Sequence, residues 1–191
     1  DSYKHLANLL NETNVKYHLI PGNHDDVDMI NKVFDFNWLK NNVDYSFDLD
    51  DWFFYFIDSS EYPNEGGYVT SDQLSNLSNV LKNNQNKSTV VFLHHHPLKI
   101  NSSWMDKMLL NFSNEFNAII ENNSQVKAVL FGHIHQVFEK VLGKTLYASA
   151  PSTSFQVKSN TDTFTLDKLM PGFRLIELDG ENFDSKVVWV D

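Results

Sequence analysis

Two apolar runs, residues 89–93 (TVVFL) and 126–131 (VKAVLF), constrain the fold of this chain more than any other feature. Each has the length of a strand and neither alternates, so each predicts a strand buried on both faces. Such strands belong inside a sheet that is covered on both sides. Each run also ends in histidine. The first leads into His94-His95-His96-Pro97 and the second into Gly132-His133-Ile134-His135. Loops at the C-terminal edge of a sheet can bring distant residues to one point, and α/β sheets bind their ligands there.

The rest of the pattern fills in around these strands. Residues 3–12 predict a helix with Leu6, Leu9 and Leu10 on one face, 15–20 (VKYHLI) a strand, and 26–35 a short helix. Residues 43–49 and 52–58 predict a hairpin turning at Asp50-Asp51. Ser71 suits the N-cap of a helix running to Lys82, and 105–121 has helical period. After residue 131 the alternation of helix and strand stops, and 137–142, 145–149, 173–178 and 186–190 all predict strands. Mixed elements first and strands alone later predict sheets packed as a sandwich with helices outside. No repeat or linker divides the chain, so residues 1–191 read as one domain.

Composition narrows the chemistry. The 191 residues are 41% hydrophobic, enough for a sizeable core. With 25 acidic residues against 15 basic ones the net charge of -10 argues against nucleic acid as a partner. There is no cysteine, so disulfides, thiolate metal sites and cysteine nucleophiles are excluded, and a metal must be bound by imidazole, carboxylate or amide oxygen. No apolar run reaches the roughly 18 residues of a membrane helix, and residues 1–11 have no signal-peptide pattern. The expectation is a protein without a membrane partner, in the cytoplasm.

Six of the eight histidines lie in three clusters. The earliest is Gly22-Asn23-His24-Asp25, where Gly22 would permit an unusual backbone angle. Asn23 offers a carboxamide oxygen to a metal, His24 a proton, and Asp25 a carboxylate to orient His24. In His94-His95-His96 at most two imidazoles can face one site if the chain is extended. In Gly132-His133-Ile134-His135 the two imidazoles would share one side of an extended segment, at i and i+2. All three clusters together point to metal chemistry more strongly than any one.

The ordered set of Gly-Asn-His-Asp, an apolar strand ending in His-x-Pro, and Gly-His-x-His resembles the calcineurin-like metallophosphoesterase superfamily. Within it, LHHHPL at 93–98, SWMD at 103–106, GHIHQ at 132–136, and PSTSFQ, FTLD and PG between 151 and 172 are similar to the bacterial class III cyclic-AMP phosphodiesterases. The resemblance implies an α/β fold, a four-layer αββα sandwich, with two metal ions bridged by hydroxide. It implies Asn23, His95 and His133 as ligands of the second metal and His135 as a ligand of the first. His24 would contact the phosphate and assist the leaving oxygen. The reaction implied is hydrolysis of 3′,5′-cyclic AMP to 5′-AMP, with divalent or mixed-valence iron, manganese, zinc or cobalt.

The family's Asp-x-His and Gly-Asp elements would precede Asn23, and residues 1–22 contain neither. The resemblance therefore implies a sandwich lacking its first strands, at most one ion bound by this chain, and a homodimer as one way to cover the open edge. Asp1 is a poor substitute for the bridging carboxylate. Two rivals share the enzyme class or the residues: hydrolysis of another phosphodiester such as a glycerophosphodiester, and a non-catalytic metal-binding domain. A metallo-β-lactamase-like site, suggested by His94 and His96 as HxH, would need Asp-His two positions on, whereas Pro97 and Leu98 follow here.

Overall fold

In the computed structural model, which describes residues 2–34, 44–61 and 63–190, the two apolar runs lie side by side as parallel strands. They are β3 (Ser88–Leu93) and β4 (Val126–Phe131), the centre of a six-stranded sheet. The sheet also contains β1 (Tyr45–Leu49), β2 (Trp52–Phe56), β5 (Glu139–Leu142) and β6 (Thr145–Ser149), in the order β1-β2-β3-β4-β6-β5. Strands β2, β3, β4 and β6 run parallel, and β1 and β5 close the edges antiparallel. The four parallel strands therefore end along one edge, and the chain leaves that edge at residues 57, 94, 132 and 150.

Both faces are covered, as non-alternating strands require. On one face α3 (Ser71–Asn83) and α4 (Ser113–Glu121) contribute Leu77, Leu81, Phe116 and Ile120 to a core shared with Val91, Leu93, Val129 and Phe131. On the other, the antiparallel pair β7 (Gly172–Asp179) and β8 (Asn182–Trp189) lays Ile176, Leu178 and Phe183 over Phe54, Val90, Ala128 and Leu130. Helix α1 (Ser2–Glu12) packs against α2 (Val27–Phe34). The architecture is α/β with a helix layer, a central sheet and a second small sheet. Residue 35 of the expected second helix, residue 43 of the expected hairpin and Asp1 lie outside the described residues.

Three expectations are corrected. Residues 15–20 form no strand: among the described residues their backbone joins no ladder, and Ile20 and His18 instead pack sideways, His18 stacking at 4.4 Å on Phe47. The N-cap of α3 is Thr70, not Ser71. Its hydroxyl accepts from Gln73 N–H while the Gln73 carboxamide accepts from Thr70 N–H, a complete capping box. The helical period of 105–121 resolves into a short 3-10 turn, Met105–Met108, and the separate α4, because Phe112 adopts a left-handed φ of 49°. The backbone between them is bonded elsewhere: Leu110 N–H donates to His96 O, Asn111 N–H to Gly67 O, and Gly67 N–H to Met108 O.

Candidate metal centre

The edge where the parallel strands end gathers the histidines. Ring nitrogens of His94, His95 and His133 lie within 4.8 Å of one another. Asn23 joins them from the loop before α2, its carboxamide oxygen accepting from His94 Nε2 at 3.0 Å and from His133 Nδ1 at 3.3 Å. His135 and the exposed His24 line the same cavity, about 300 Å³ in volume. His135 Nδ1 bonds the Phe155 carbonyl at 3.1 Å, and His135 is not one of the three histidines whose ring nitrogens lie together.

The local backbone explains this convergence, and not as alternation predicted. His133 and His135 have φ of 64° and 50°, and Ile134 N–H donates back to Gly132 O at 2.7 Å. The segment is coiled, not extended. Two non-glycine residues in the left-handed region cost of order 1–3 kcal/mol each, a strain that collects at functional sites. Likewise 94–96 bends, so consecutive His94 and His95 both reach the cluster, their rings 4.9 Å apart and nearly perpendicular. His96 turns away and stacks on the outer face of His133 at 5.6 Å, its Nε2 3.9 Å from Asp106, too long for a hydrogen bond.

Two glycines make room. A Cβ on Gly22 would lie 2.7 Å from His94 Cε1, and Gly22 does not take a positive φ; it is small because His94 approaches, and the expected unusual backbone angle is not there. A Cβ on Gly67 would lie 2.5 Å from His95 Cβ. His95 is fully buried, with Ser59 Oγ 2.9 Å from its Nδ1. A proton on that nitrogen leaves Nε2 a bare lone pair.

Asp25 does not bond His24 among the described residues. One carboxylate oxygen accepts from Gly22 N–H at 2.8 Å and the other from the Tyr3 hydroxyl at 3.0 Å, while that same hydroxyl accepts from Asp26 N–H. Asp25 shapes the loop that carries Asn23 and His24, and α1 anchors it through Tyr3.

Burial is the main force on the imidazoles' protonation. It lowers His94 to about 3, His95 and His96 to about 4 and His133 to about 2, with neighbouring imidazoles adding to the shift at His94, His95 and His133. At neutral pH all four are uncharged. Nε2 of His95 and Nε2 of His133 are buried and have no hydrogen-bond partner among the described residues. Buried lone pairs without a donor are costly, and a cation is the partner that suits two of them together. Three imidazoles and an amide oxygen are a donor set for a borderline first-row ion. The residues present therefore fit a metal.

His94, Ser59 and Tyr3 were not selected from the sequence. A run of three histidines contained the signal for His94, and Gly22 supplied a second. Ser59 and Tyr3 carry no local pattern that could single them out.

Comparison with known proteins bears on what such a centre does. The sequence matches the calcineurin-like phosphoesterase family over residues 1–137. It is 36% identical over 178 residues to a 3′,5′-cyclic-nucleotide phosphodiesterase of Nostoc sp., spanning 93% of this chain and 66% of that protein. Against the 3′,5′-cyclic adenosine monophosphate phosphodiesterase CpdA of Pseudomonas aeruginosa the identity is 30%, spanning 93% and 64%. The CpdA of Haemophilus influenzae gives 33%, spanning 93% and 65%. The chain thus spans slightly under two thirds of each of these relatives. In fold it is similar to a dimetal phosphatase from Danio rerio, with a TM-score of 0.64 over 94% of this chain and 74% of that one, at 12% identity.

Proposed function

The chain belongs to the calcineurin-like phosphoesterase family, and on that premise we propose that it is a metal-dependent phosphodiesterase hydrolysing 3′,5′-cyclic AMP to 5′-AMP. The observation that carries the reading is the cluster of His94, buried His95 and His133 with Asn23, of which His94, His133 and Asn23 line a cavity that also presents His24. His95 and His133 would bind the ion through their partnerless Nε2 atoms, with Asn23 contributing its carboxamide oxygen. Iron, manganese, zinc and cobalt all suit that donor set. A bound cation of this kind neutralises phosphodiester oxygens and raises the acidity of water.

The chain's own residues supply the rest. His24 is exposed to the cavity and is not tied to a hydrogen-bond partner among the described residues, so its imidazole can carry a proton to the departing ribose oxygen. Asp25 and Tyr3 set the loop so that Asn23 and His24, adjacent in sequence, face the cavity together. His94 orients the Asn23 carboxamide. His135 is placed by the Phe155 carbonyl to meet the substrate or a further ion.

The test is turnover of cyclic AMP by the full-length protein with added manganese. His24→Ala is expected to lower kcat by about 100-fold or more, the lower end of what a general acid contributes. Metal content should stay unchanged, because His24 is not in the ligand set. A variant that keeps wild-type kcat would remove His24 from the chemistry, and a wild type with no turnover of any cyclic nucleotide would remove the reading.

A further inference from the structure

The cavity is lined by two unlike kinds of group: Asn23, His24, His94, His133 and His135 are polar, and Trp104, Phe155 and Phe164 are aromatic. Phe155 and Phe164 are 45% and 55% exposed, which is unusual for two phenylalanines in contact. Their rings meet edge to face at 6.5 Å, Trp104 meets Phe164 edge to face at 5.7 Å, and Phe155 lies 4.7 Å from the His135 ring.

The segment that carries them is fixed by its backbone rather than by burial of those rings. Val157 N–H donates to His135 O, Lys158 N–H to Thr165 O and Asp167 N–H to Gln156 O. The Gln156 side chain is buried and bonded to the backbone of Ser152 and Met170. Ser102 and Ser103 hydroxyls fasten the far side at Thr161 O and the Asp162 carboxylate. Such a frame holds the two rings at the cavity wall with little entropy left to lose on binding.

We propose that the aromatic cluster of Phe155, Phe164 and Trp104 is a platform for the nucleobase of the substrate: the ring planes of Phe155 and Phe164 stand at 79°, so the base stacks on the face of one and meets the other at its edge. This rests on the diesterase reading for the identity of the ligand. The chemistry of the lining sets the orientation: the anionic phosphate belongs with the histidines and Asn23, and a flat apolar ring belongs against the aromatic side chains. Glu65, on the cavity wall, disfavours the phosphate near its carboxylate and can accept from an exocyclic amine or a ribose hydroxyl. Stacking is tolerant of base identity, so purines are favoured by area rather than excluded or required by hydrogen bonds.

The test compares two probes on the full-length protein by calorimetry: 5′-AMP, and ribose 5-phosphate, which has the same phosphate and sugar and no base. Wild type is expected to bind 5′-AMP about tenfold or more tightly than ribose 5-phosphate. Phe155→Leu and Phe164→Leu should each weaken 5′-AMP by about tenfold while leaving ribose 5-phosphate unchanged; both side chains are half exposed, and leucine keeps them apolar. Equal affinity of wild type for the two probes, or a parallel loss of both in the variants, would overturn the platform. Base-dependent binding in a protein that does not turn over cyclic AMP would keep the platform and sink the diesterase reading. Turnover of cyclic AMP with both variants binding 5′-AMP as wild type does would do the reverse.

Discussion

Gly67 contributes no functional group, yet it sets the position of a candidate ligand. Its hypothetical Cβ would fall 2.5 Å from His95 Cβ and 3.0 Å from Leu110 Cα, and neither is the flexible tip of a side chain. Gly67→Ala must therefore shift backbone, and overpacking of this kind costs about 1–3 kcal/mol. The expected outcome is a thermal midpoint lowered by several degrees together with weaker metal binding; a variant with unchanged stability and metal affinity would show that the segment has slack. At this scale the sequence was informative where a side chain has its own chemistry. Asn23 stood out by its carboxamide, His133 by its place after an apolar strand and His95 through the family resemblance, and the structure brings them together. His94 did not stand out, because alternation limits the run to two facing imidazoles without saying which, and the backbone at 94–96 is bonded to residues far along the chain.

The elements were legible in proportion to how local their causes are. Buried strands β3 and β4 and the hairpin of β1 and β2 follow from apolar content and a two-residue turn, and they appear where expected. The 105–121 segment has helical period throughout, but the backbone at 108–111 is recruited by His96 and Gly67, so the helix starts only after Phe112. That interruption has a use: it secures the loop bearing the histidines to the loop bearing Gly67. Residues 15–20 have the composition of a strand, and strand formation depends on a partner edge that composition does not reveal. Helix α1 shows the same limit in another way, since its amphipathic pattern predicts the helix but not that Tyr3 reaches across to Asp25 and Asp26.

For the whole molecule, burying neutral histidines makes stability depend on pH. Above about pH 6.5 these imidazoles are neutral both folded and unfolded. Between 6.5 and about 4 the unfolded chain takes up protons that His94, His95, His96 and His133 refuse when folded, so stability falls as pH falls through that window. Asp44, pushed up to about 6 by burial, and Asp58, also raised by burial, act in the opposite sense, because they bind protons more readily folded than unfolded. Four groups outweigh two. The metal-free protein should lose on the order of a few kcal/mol from pH 7 to pH 4.5, seen as a thermal midpoint lower by more than about 5 °C. A midpoint that holds or rises would show that the histidines are not buried as neutral rings.

The central claim is that Asn23, His95 and His133 form a metal site at the C-terminal edge of the sheet, and titration of the metal-free chain with manganese or zinc by calorimetry tests it most directly. The account predicts one ion bound per chain, with His95→Ala and His133→Ala each weakening it beyond the roughly 10–100-fold that even a residue merely orienting a ligand costs. Lys82→Ala, in the last turn of α3 and outside the cavity lining, should leave binding unchanged. Absence of binding by wild type, or binding that survives both histidine replacements, would contradict it.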